Sequence, residues 1–153
     1  MGLDMYLTKK IYVGANYEHR EVKGTIYLTS HGKEIPINFN KVSYIEEECM
    51  YWRKANAIHK WFVDNVQGGE DNCGSYYVSK AQLKELVSTC KKVLRNKKLA
   101  PELLPTQSGF FFGGTDYDEY YFEDLKNTVD VLSKEDLSYD DGYDIEYRYS
   151  SSW

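Results

Sequence analysis

Apolar and polar positions alternate at the start of the chain, where Leu3, Met5 and Leu7 are each separated by one more polar residue. A period of two residues is typical of a strand that buries one face. We therefore predict a strand over residues 3–8, with these three side chains in the core.

A hairpin is predicted next. Residues 25–28 and 34–39 have the composition of strands and flank residues 30–33, where Gly32 can supply the positive φ of a tight turn. Pro36 has no amide hydrogen to donate, so we expect the second strand of this hairpin to occupy an edge position.

The middle of the chain changes to helical spacing. We predict a first helix over residues 45–67, ended by Gly68 and Gly69. Its expected apolar face consists of Tyr51, Ala55, Ile58, Phe62 and Val66.

Two further helices are predicted. One spans residues 80–96 and begins after Ser79, which has Gln82 at the spacing of a capping box. The other is expected to begin at a cap formed by Thr115 or Asp116. Its expected buried face consists of Tyr117, Tyr121, Leu125, Thr128, Val129 and Leu132.

Alternation returns over residues 143–149, which predicts a last strand. The order of strands, helices and a final strand lacks the alternation of a parallel sheet. We therefore expect one α+β domain over residues 1–153. It would contain a small, mostly antiparallel sheet of the N-terminal strands and the C-terminal strand, packed with about three helices.

Charge is distributed unevenly along this pattern. Residues 115–153 hold 12 acidic and three basic residues, a net charge of −9, together with seven tyrosines. Such a surface could repel nucleic acid, imitate it, or dock on a basic protein groove. The residues predicted to contact a partner are Asp116, Asp118, Glu119, Tyr120, Asp124, Tyr139, Asp140, Asp141, Tyr143 and Asp144.

Composition restricts the setting of the protein. Three cysteines and no CxxC pair favour reduced thiols over a disulfide framework or a zinc site. No apolar run approaches a membrane span, and residues 1–8 do not have the pattern of a secretory signal. We expect a cytoplasmic protein that does not bind membranes. The sequence leaves open whether it forms a homodimer.

His59 is the residue most suggestive of chemistry, because it projects from the apolar face of the predicted first helix. It is either a core histidine with one hydrogen-bond partner or a base that acts on a ligand. In the second case Arg53, Asn56, His59, Gln107 and Asp124 would line a pocket between the first and third helices. Trp61 points away from the predicted stripe and either meets another helix or marks a partner surface.

No motif identifies a reaction. Residues 104–115 end at a predicted helix start and could cradle an anion, but they match neither common phosphate-binding loop, and a strand and turn explain them as well. His59 has no HxxxH or HExxH partner, so we expect no metal and no cofactor. We interpret the chain as a binding protein before an enzyme, with no catalytic residue assigned.

Three segments, MGLDMYL (residues 1–7), YWRKANAIHKWF (51–62) and LPTQSGFFFG (104–113), resemble a family of small proteins encoded by tailed bacteriophages and prophages. The likeness continues to about residue 132. It implies a viral or prophage origin and the cytoplasm of a bacterial host, and it carries over no active-site residue. Small acidic proteins of this kind often inhibit host machinery, and anti-CRISPR proteins are among them.

Three hypotheses follow from these patterns. The first is a phage-encoded inhibitor that binds a host nucleic-acid-binding protein, such as a CRISPR effector nuclease, through its acidic, tyrosine-rich surface. The second is a small enzyme or ligand-binding domain with a pocket around His59. The third is a nucleic-acid-binding or virion accessory protein that acts through the lysine-rich second helix.

Overall fold

The structure is a computed structural model that describes residues 2–14, 22–137 and 144–153. The strands are β1 (Asp4–Tyr12), β2 (Leu28–Ser30), β3 (Lys33–Ile35), β4 (Tyr44–Arg53), β5 (Ser75–Val78) and β6 (Ile145–Ser152). The α-helices are α1 (Asn56–Asn65), α2 (Lys80–Arg95), α3 (Ala100–Leu103) and α4 (Glu119–Leu132). No described helix is long and apolar enough to cross a membrane.

The main sheet has four antiparallel strands in the order β4-β1-β6-β5. The first strand is therefore central and pairs with both β4 and the C-terminal strand β6. Together with the helices this makes an α+β fold, as predicted. Leu3, Met5 and Leu7 are fully buried, which confirms the alternating pattern at the start of the chain.

The predicted hairpin is present as a separate two-stranded sheet of β2 and β3. His31 and Gly32 both have positive φ, 50° and 73°, the geometry of a type I′ turn. The strands are shorter than predicted, and Pro36 follows β3 instead of lying within it.

The predicted first helix is wrong over its first half. Residues 44–53 form β4, which pairs with β1 along its whole length, and α1 begins only at Asn56. The glutamates at positions 46–48 suit a helix by intrinsic preference, but strand pairing with β1 overrides that preference. Tyr51 consequently lies on the sheet, where its hydroxyl donates a hydrogen bond to Asp4. Gly68 and Gly69 have positive φ beyond the helix end, as expected.

The second predicted helix is confirmed, including its start. The Ser79 hydroxyl accepts a hydrogen bond from the Gln82 amide at 3.1 Å, and the Gln82 side chain accepts from the Ser79 amide at 2.9 Å. These reciprocal bonds satisfy two amides that the first turn leaves free. The buried stripe of α2 packs against α4.

The third predicted helix begins later than expected. Its cap is Asp118, which accepts a hydrogen bond from the Tyr121 amide at 3.0 Å, so the predicted caps Thr115 and Asp116 lie outside the helix. Tyr121, Leu125, Thr128 and Leu132 are buried as predicted. No strand forms at Phe110–Phe112. The final strand is confirmed as β6, two residues later than its predicted start.

Aromatic side chains join α1 to the sheet. The Phe62 ring stacks on the Tyr149 ring of β6 with 3.9 Å between centroids, and the Trp52 indole of β4 meets Phe62 edge-on at 5.8 Å. The Trp52 indole also donates a hydrogen bond to Thr128 of α4 at 2.8 Å. These contacts fix the orientation of α1, and thereby of the polar side chains at its first turn.

Candidate functional site

Asn56, at the first turn of α1, holds a long loop in place. This buried side chain donates hydrogen bonds to the Phe112 and Gly114 carbonyl oxygens at 2.9 and 2.8 Å. Its carbonyl oxygen accepts a third hydrogen bond from the Gln107 amide at 3.0 Å. One side chain thus fixes three points of the segment over residues 107–114.

Gly113 allows this segment to approach α1 closely. Its φ is 85°, and a β-carbon built on it would lie 3.1 Å from Cβ of Lys54. A side chain here would therefore meet both an unfavourable backbone conformation and a close neighbour. Lys54 itself has a φ of 59° at the junction of β4 and α1.

His59 is fully buried and has two side-chain partners. Its Nε2 lies 2.9 Å from an Asp71 carboxylate oxygen, and its Nδ1 lies 2.7 Å from the Tyr149 hydroxyl. Since a carboxylate only accepts, Nε2 of His59 donates the hydrogen bond to Asp71. Burial raises the pKa of Tyr149 well above its usual range, which keeps its hydroxyl protonated.

Asp71 joins this histidine to the loop. Its second carboxylate oxygen accepts a hydrogen bond from the Gln107 side chain at 2.9 Å. Asn56, Gln107, Asp71, His59 and Tyr149 therefore form one connected polar network. His59 orients Asp71 within this network and lines none of the cavities described below. The core interpretation of His59 fits its burial, although it has two partners instead of one.

A cleft of about 380 Å³ lies between the start of α1 and the start of α4. We name it the α1–α4 cleft. It is lined by three of the five predicted pocket residues, Arg53, Asn56 and Asp124, and not by His59 or Gln107. Other lining residues are Lys54, Thr106, Asp116, Asp118 and Tyr120. Its charge is mixed.

Asp124 is an acid of the cleft wall with a perturbed pKa. Burial raises the pKa of this carboxyl to about 6, and the neighbouring carboxylates of Glu123 and Asp118 contribute in the same direction. A half-buried acid that titrates near neutral pH in a cleft is typical of functional sites. The fold holds this charge at a cost to its stability.

Four exposed acids and one tyrosine lie within residues 116–123 at the cleft, and we name this set the acidic ridge: Asp116, Asp118, Glu119, Tyr120 and Glu123. No lysine or arginine occurs in residues 115–125. Tyr120 is 77% exposed. The ridge contains four of the ten predicted partner contacts, and Asp124 lies behind it in the cleft wall.

Of the remaining predicted contacts, the described residue Asp144 does not join this ridge. Tyr139, Asp140, Asp141 and Tyr143 lie outside the described residues. The Asp144 carbonyl accepts a hydrogen bond from the amide of Tyr12, the last residue of β1. Arg53 pairs with Asp4, the first residue of the same strand. Since Arg53 lines the cleft and β1 spans eight steps of about 3.4 Å, some 27 Å separates the two ends.

Two acids of the C-terminal region have basic partners within the fold. Glu135 forms an ion pair with Lys9 at 2.9 Å and accepts a hydrogen bond from Tyr147 at 2.9 Å. Glu146 pairs with Arg148. The strongly negative region predicted from the sequence is therefore restricted, among the described residues, mainly to the acidic ridge.

Trp61 does not mark a partner surface, because it is buried and its ring meets Phe62 edge-on at 5.3 Å. Phe110 is the most exposed large hydrophobic residue among those described, and the sequence did not single it out. Asp71 was missed as well. Its sequence neighbours are polar and irregular, and only the fold brings it to His59.

The chain matches no protein-family model, no curated protein and no solved structure. The resemblance to a phage-encoded family therefore stays a prediction. Within residues 2–14, 22–137 and 144–153, no group of three or more His, Cys, Asp or Glu side chains could hold a metal ion.

Proposed function

We propose that this protein binds a basic surface of a nucleic-acid-binding protein through the acidic ridge and thereby blocks that surface. The observation that carries the proposal is the local excess of negative charge. Four exposed carboxylates lie within residues 116–123, and the nearest lysine or arginine in sequence on the C-terminal side is Lys126. Following the resemblance to phage-encoded proteins, the target would be a host defence protein such as a CRISPR effector nuclease.

The physical basis is competition with phosphate groups. A nucleic-acid groove is lined by lysine and arginine side chains that bind regularly spaced negative charges. Carboxylates held at the start of α4 can occupy such side chains without being cleaved. Charge also steers the encounter, so binding would be fast and strongly dependent on salt.

Tyr120 supplies the part of the contact that does not depend on charge. Tyr120 is an exposed residue of the cleft lining, and tyrosine gives a large contact area at a small cost in side-chain entropy. Aromatic residues of this kind dominate the energetics of many interfaces. We expect Tyr120→Ala to weaken binding in a way that salt does not change.

A competition experiment tests the proposal. Bacterial extract is bound to DNA-cellulose at low salt and then eluted with the purified protein, and mass spectrometry identifies what is released. We expect release of a defined nucleic-acid-binding protein. The affinity of that protein for wild type should fall by at least tenfold between about 50 and about 200 mM salt.

The matched variants separate local charge from net charge. The ridge variant carries Asp116→Asn, Glu119→Gln and Glu123→Gln, and keeps Asp118 because it caps α4. The control variant carries Glu34→Gln, Glu85→Gln and Glu102→Gln, three exposed acids elsewhere, with the same change in net charge. Release by the control and not by the ridge variant is expected. Equal release by both, or no release by wild type, would refute the proposal.

The α1–α4 cleft supports a second candidate function, binding of a small polar ligand. Its mixed charge and the raised pKa of Asp124 favour this candidate. A thermal-shift screen of amino acids, nucleotides and sugar phosphates tests it. A genuine ligand should lose its effect in both Arg53→Ala and Asp124→Asn. Stabilisation that persists in both variants would exclude the cleft as its site.

A further inference from the structure

A second cavity, of about 320 Å³, is lined by one carboxylate and several aromatic rings. We name it the Asp71 pocket. Its polar side chains are Asp71, Gln107 and Ser108, and its rings are Phe110, Phe111, Phe112 and Trp153. Among the described residues, no lysine, arginine or histidine lines it. Its volume is at the lower end of the range for ligand pockets, which suits one side chain.

The carboxylate of Asp71 is held in place by two hydrogen bonds. One carboxylate oxygen accepts a hydrogen bond from His59 at 2.9 Å, and the other accepts one from the side-chain amide of Gln107 at 2.9 Å. Among the described residues, no lysine or arginine forms an ion pair with Asp71.

The aromatic part of the pocket is exposed. The Phe110 ring is 95% exposed and the Trp153 indole is 43% exposed, although both are large apolar groups. Phe112 forms the inner wall, and its ring meets the Trp153 indole at 6.0 Å and an interplanar angle of 68°. Exposed aromatic rings around a single, partly buried carboxylate are complementary to a cation, because ring faces attract positive charge.

We infer that the Asp71 pocket receives an arginine side chain of the partner protein. This inference rests on the proposed function in one respect, that the partner presents a basic surface. A guanidinium group is planar, stacks on aromatic rings and is weakly hydrated, and its rigid fork of donors matches a carboxylate. Each oxygen of Asp71 has a further lone pair for such a donor. A lysine ammonium lacks the stacking surface and is more costly to dehydrate.

The experiment uses a small probe, so that it does not depend on identifying the partner. N-acetyl-arginine amide is titrated into the ¹⁵N-labelled full chain, and the indole N–H resonances of Trp52, Trp61 and Trp153 are followed. Trp52 and Trp61 are buried, so they serve as internal references. We expect saturable shifts at Trp153 and at the Phe110 amide. N-acetyl-citrulline amide, which has the same shape without the charge, should bind at least about tenfold more weakly.

Variants assign the binding to this pocket. Asp71→Asn should weaken the arginine probe at least about tenfold, whereas Glu70→Gln, the same charge change at an exposed neighbour outside the pocket, should not. Since Asp71→Asn also alters the contact with His59, Phe110→Ala provides a second test on an exposed side chain. Phe110→Ala should weaken binding of the arginine probe about threefold or more without lowering the melting temperature of the protein.

Three results would overturn the inference: equal binding of the arginine and citrulline probes, equal binding of a capped lysine probe, or unchanged binding in Asp71→Asn. Shifts confined to the acidic ridge would also overturn it. The ridge variant should bind the probe like wild type. Failure of the DNA-cellulose competition with intact probe binding would therefore refute the proposed function and leave the pocket standing.

Discussion

Replacing Asn56 by alanine should loosen the loop that forms both cavities. The change removes hydrogen bonds to the Phe112 and Gly114 carbonyls and from the Gln107 amide. A hydrogen bond contributes roughly 0.5–1.5 kcal/mol net, and a buried partner left without water costs more. Three such bonds predict a loss of about 3 kcal/mol of unfolding free energy. For a domain of this size, the melting temperature should fall by about 6–12 °C.

The measurement combines stability with local exchange. Urea unfolding gives the free energy, and amide hydrogen exchange followed by mass spectrometry reports on residues 105–114. Asn65→Ala is the matched control, because Asn65 lies on the same helix and its exposed side chain donates one hydrogen bond, to the Trp61 carbonyl. We expect it to cost less than about 1 kcal/mol and to leave exchange of the loop unchanged.

Asn56→Asp separates geometry from hydrogen bonding. The aspartate has nearly the same shape and can still accept from Gln107, but it has no donor and places a charge beside two carbonyl oxygens. It should be at least as destabilising as alanine. If Asn56→Ala costs less than about 1 kcal/mol and loop exchange is unaffected, Asn56 is not what holds residues 107–114 on α1, and the reasoning above fails.

Four further predictions follow from single features. Asp124→Asn should raise the unfolding free energy at pH 7 by about 1–2 kcal/mol. This figure is smaller than the full free-energy equivalent of the pKa shift because the side chain is partly exposed to solvent. The folded state holds a carboxylate whose pKa is raised to about 6, mainly by burial. Because that penalty exists only where the group is ionised, urea unfolding should show the gain fading below about pH 4; a loss at pH 7 would contradict this. At Glu135, burial alone would raise the pKa, but the hydrogen bonds from Lys9 and Tyr147 outweigh it and hold the pKa below its usual range. That stability is complete above the unfolded pKa of about 4.3 and is lost as the pH falls, so Glu135→Gln should cost about 1–2 kcal/mol at pH 7 and little at pH 3. Leu125→Ala, at a fully buried position of α4, should cost about 2–5 kcal/mol by denaturant unfolding, while Asn127→Ala on the exposed face should not. Of the three thiols, Cys73 alone should react quickly with Ellman's reagent, since it is exposed while burial raises the pKa of Cys49 and Cys90 to about 12; two or three fast thiols would contradict the burial.

The features predicted correctly are those that short-range patterns determine. The period of two in β1, the turn at His31 and Gly32, and the capping box of Ser79 and Gln82 each depend on residues within a few positions of one another. Local preference and tertiary packing agree at these places, and so the sequence is sufficient.

The main error, at β4, comes from a contact that is distant in sequence. Residues 44–53 have helix-forming glutamates and an apolar spacing compatible with a helix, but β1 offers a complete antiparallel partner some 40 residues earlier. Because residues 44–53 form a strand, Tyr51 lies on the sheet and not on the predicted helix. It also placed the start of α1 at Asn56, where its side chain reaches the loop.

The candidate site shows the same division. The sequence by itself determined that residues 116–124 contain five acids and no lysine or arginine, and it placed His59 on the apolar face of a helix while leaving its role open. Only the tertiary structure decided that Lys9 neutralises Glu135, that Asp144 lies at the other end of β1, and that Asp71 and Tyr149 hold His59. The physical reason is that charge and polarity belong to single residues, whereas neutralisation and hydrogen bonding require partners that only the folded chain brings within about 3 Å.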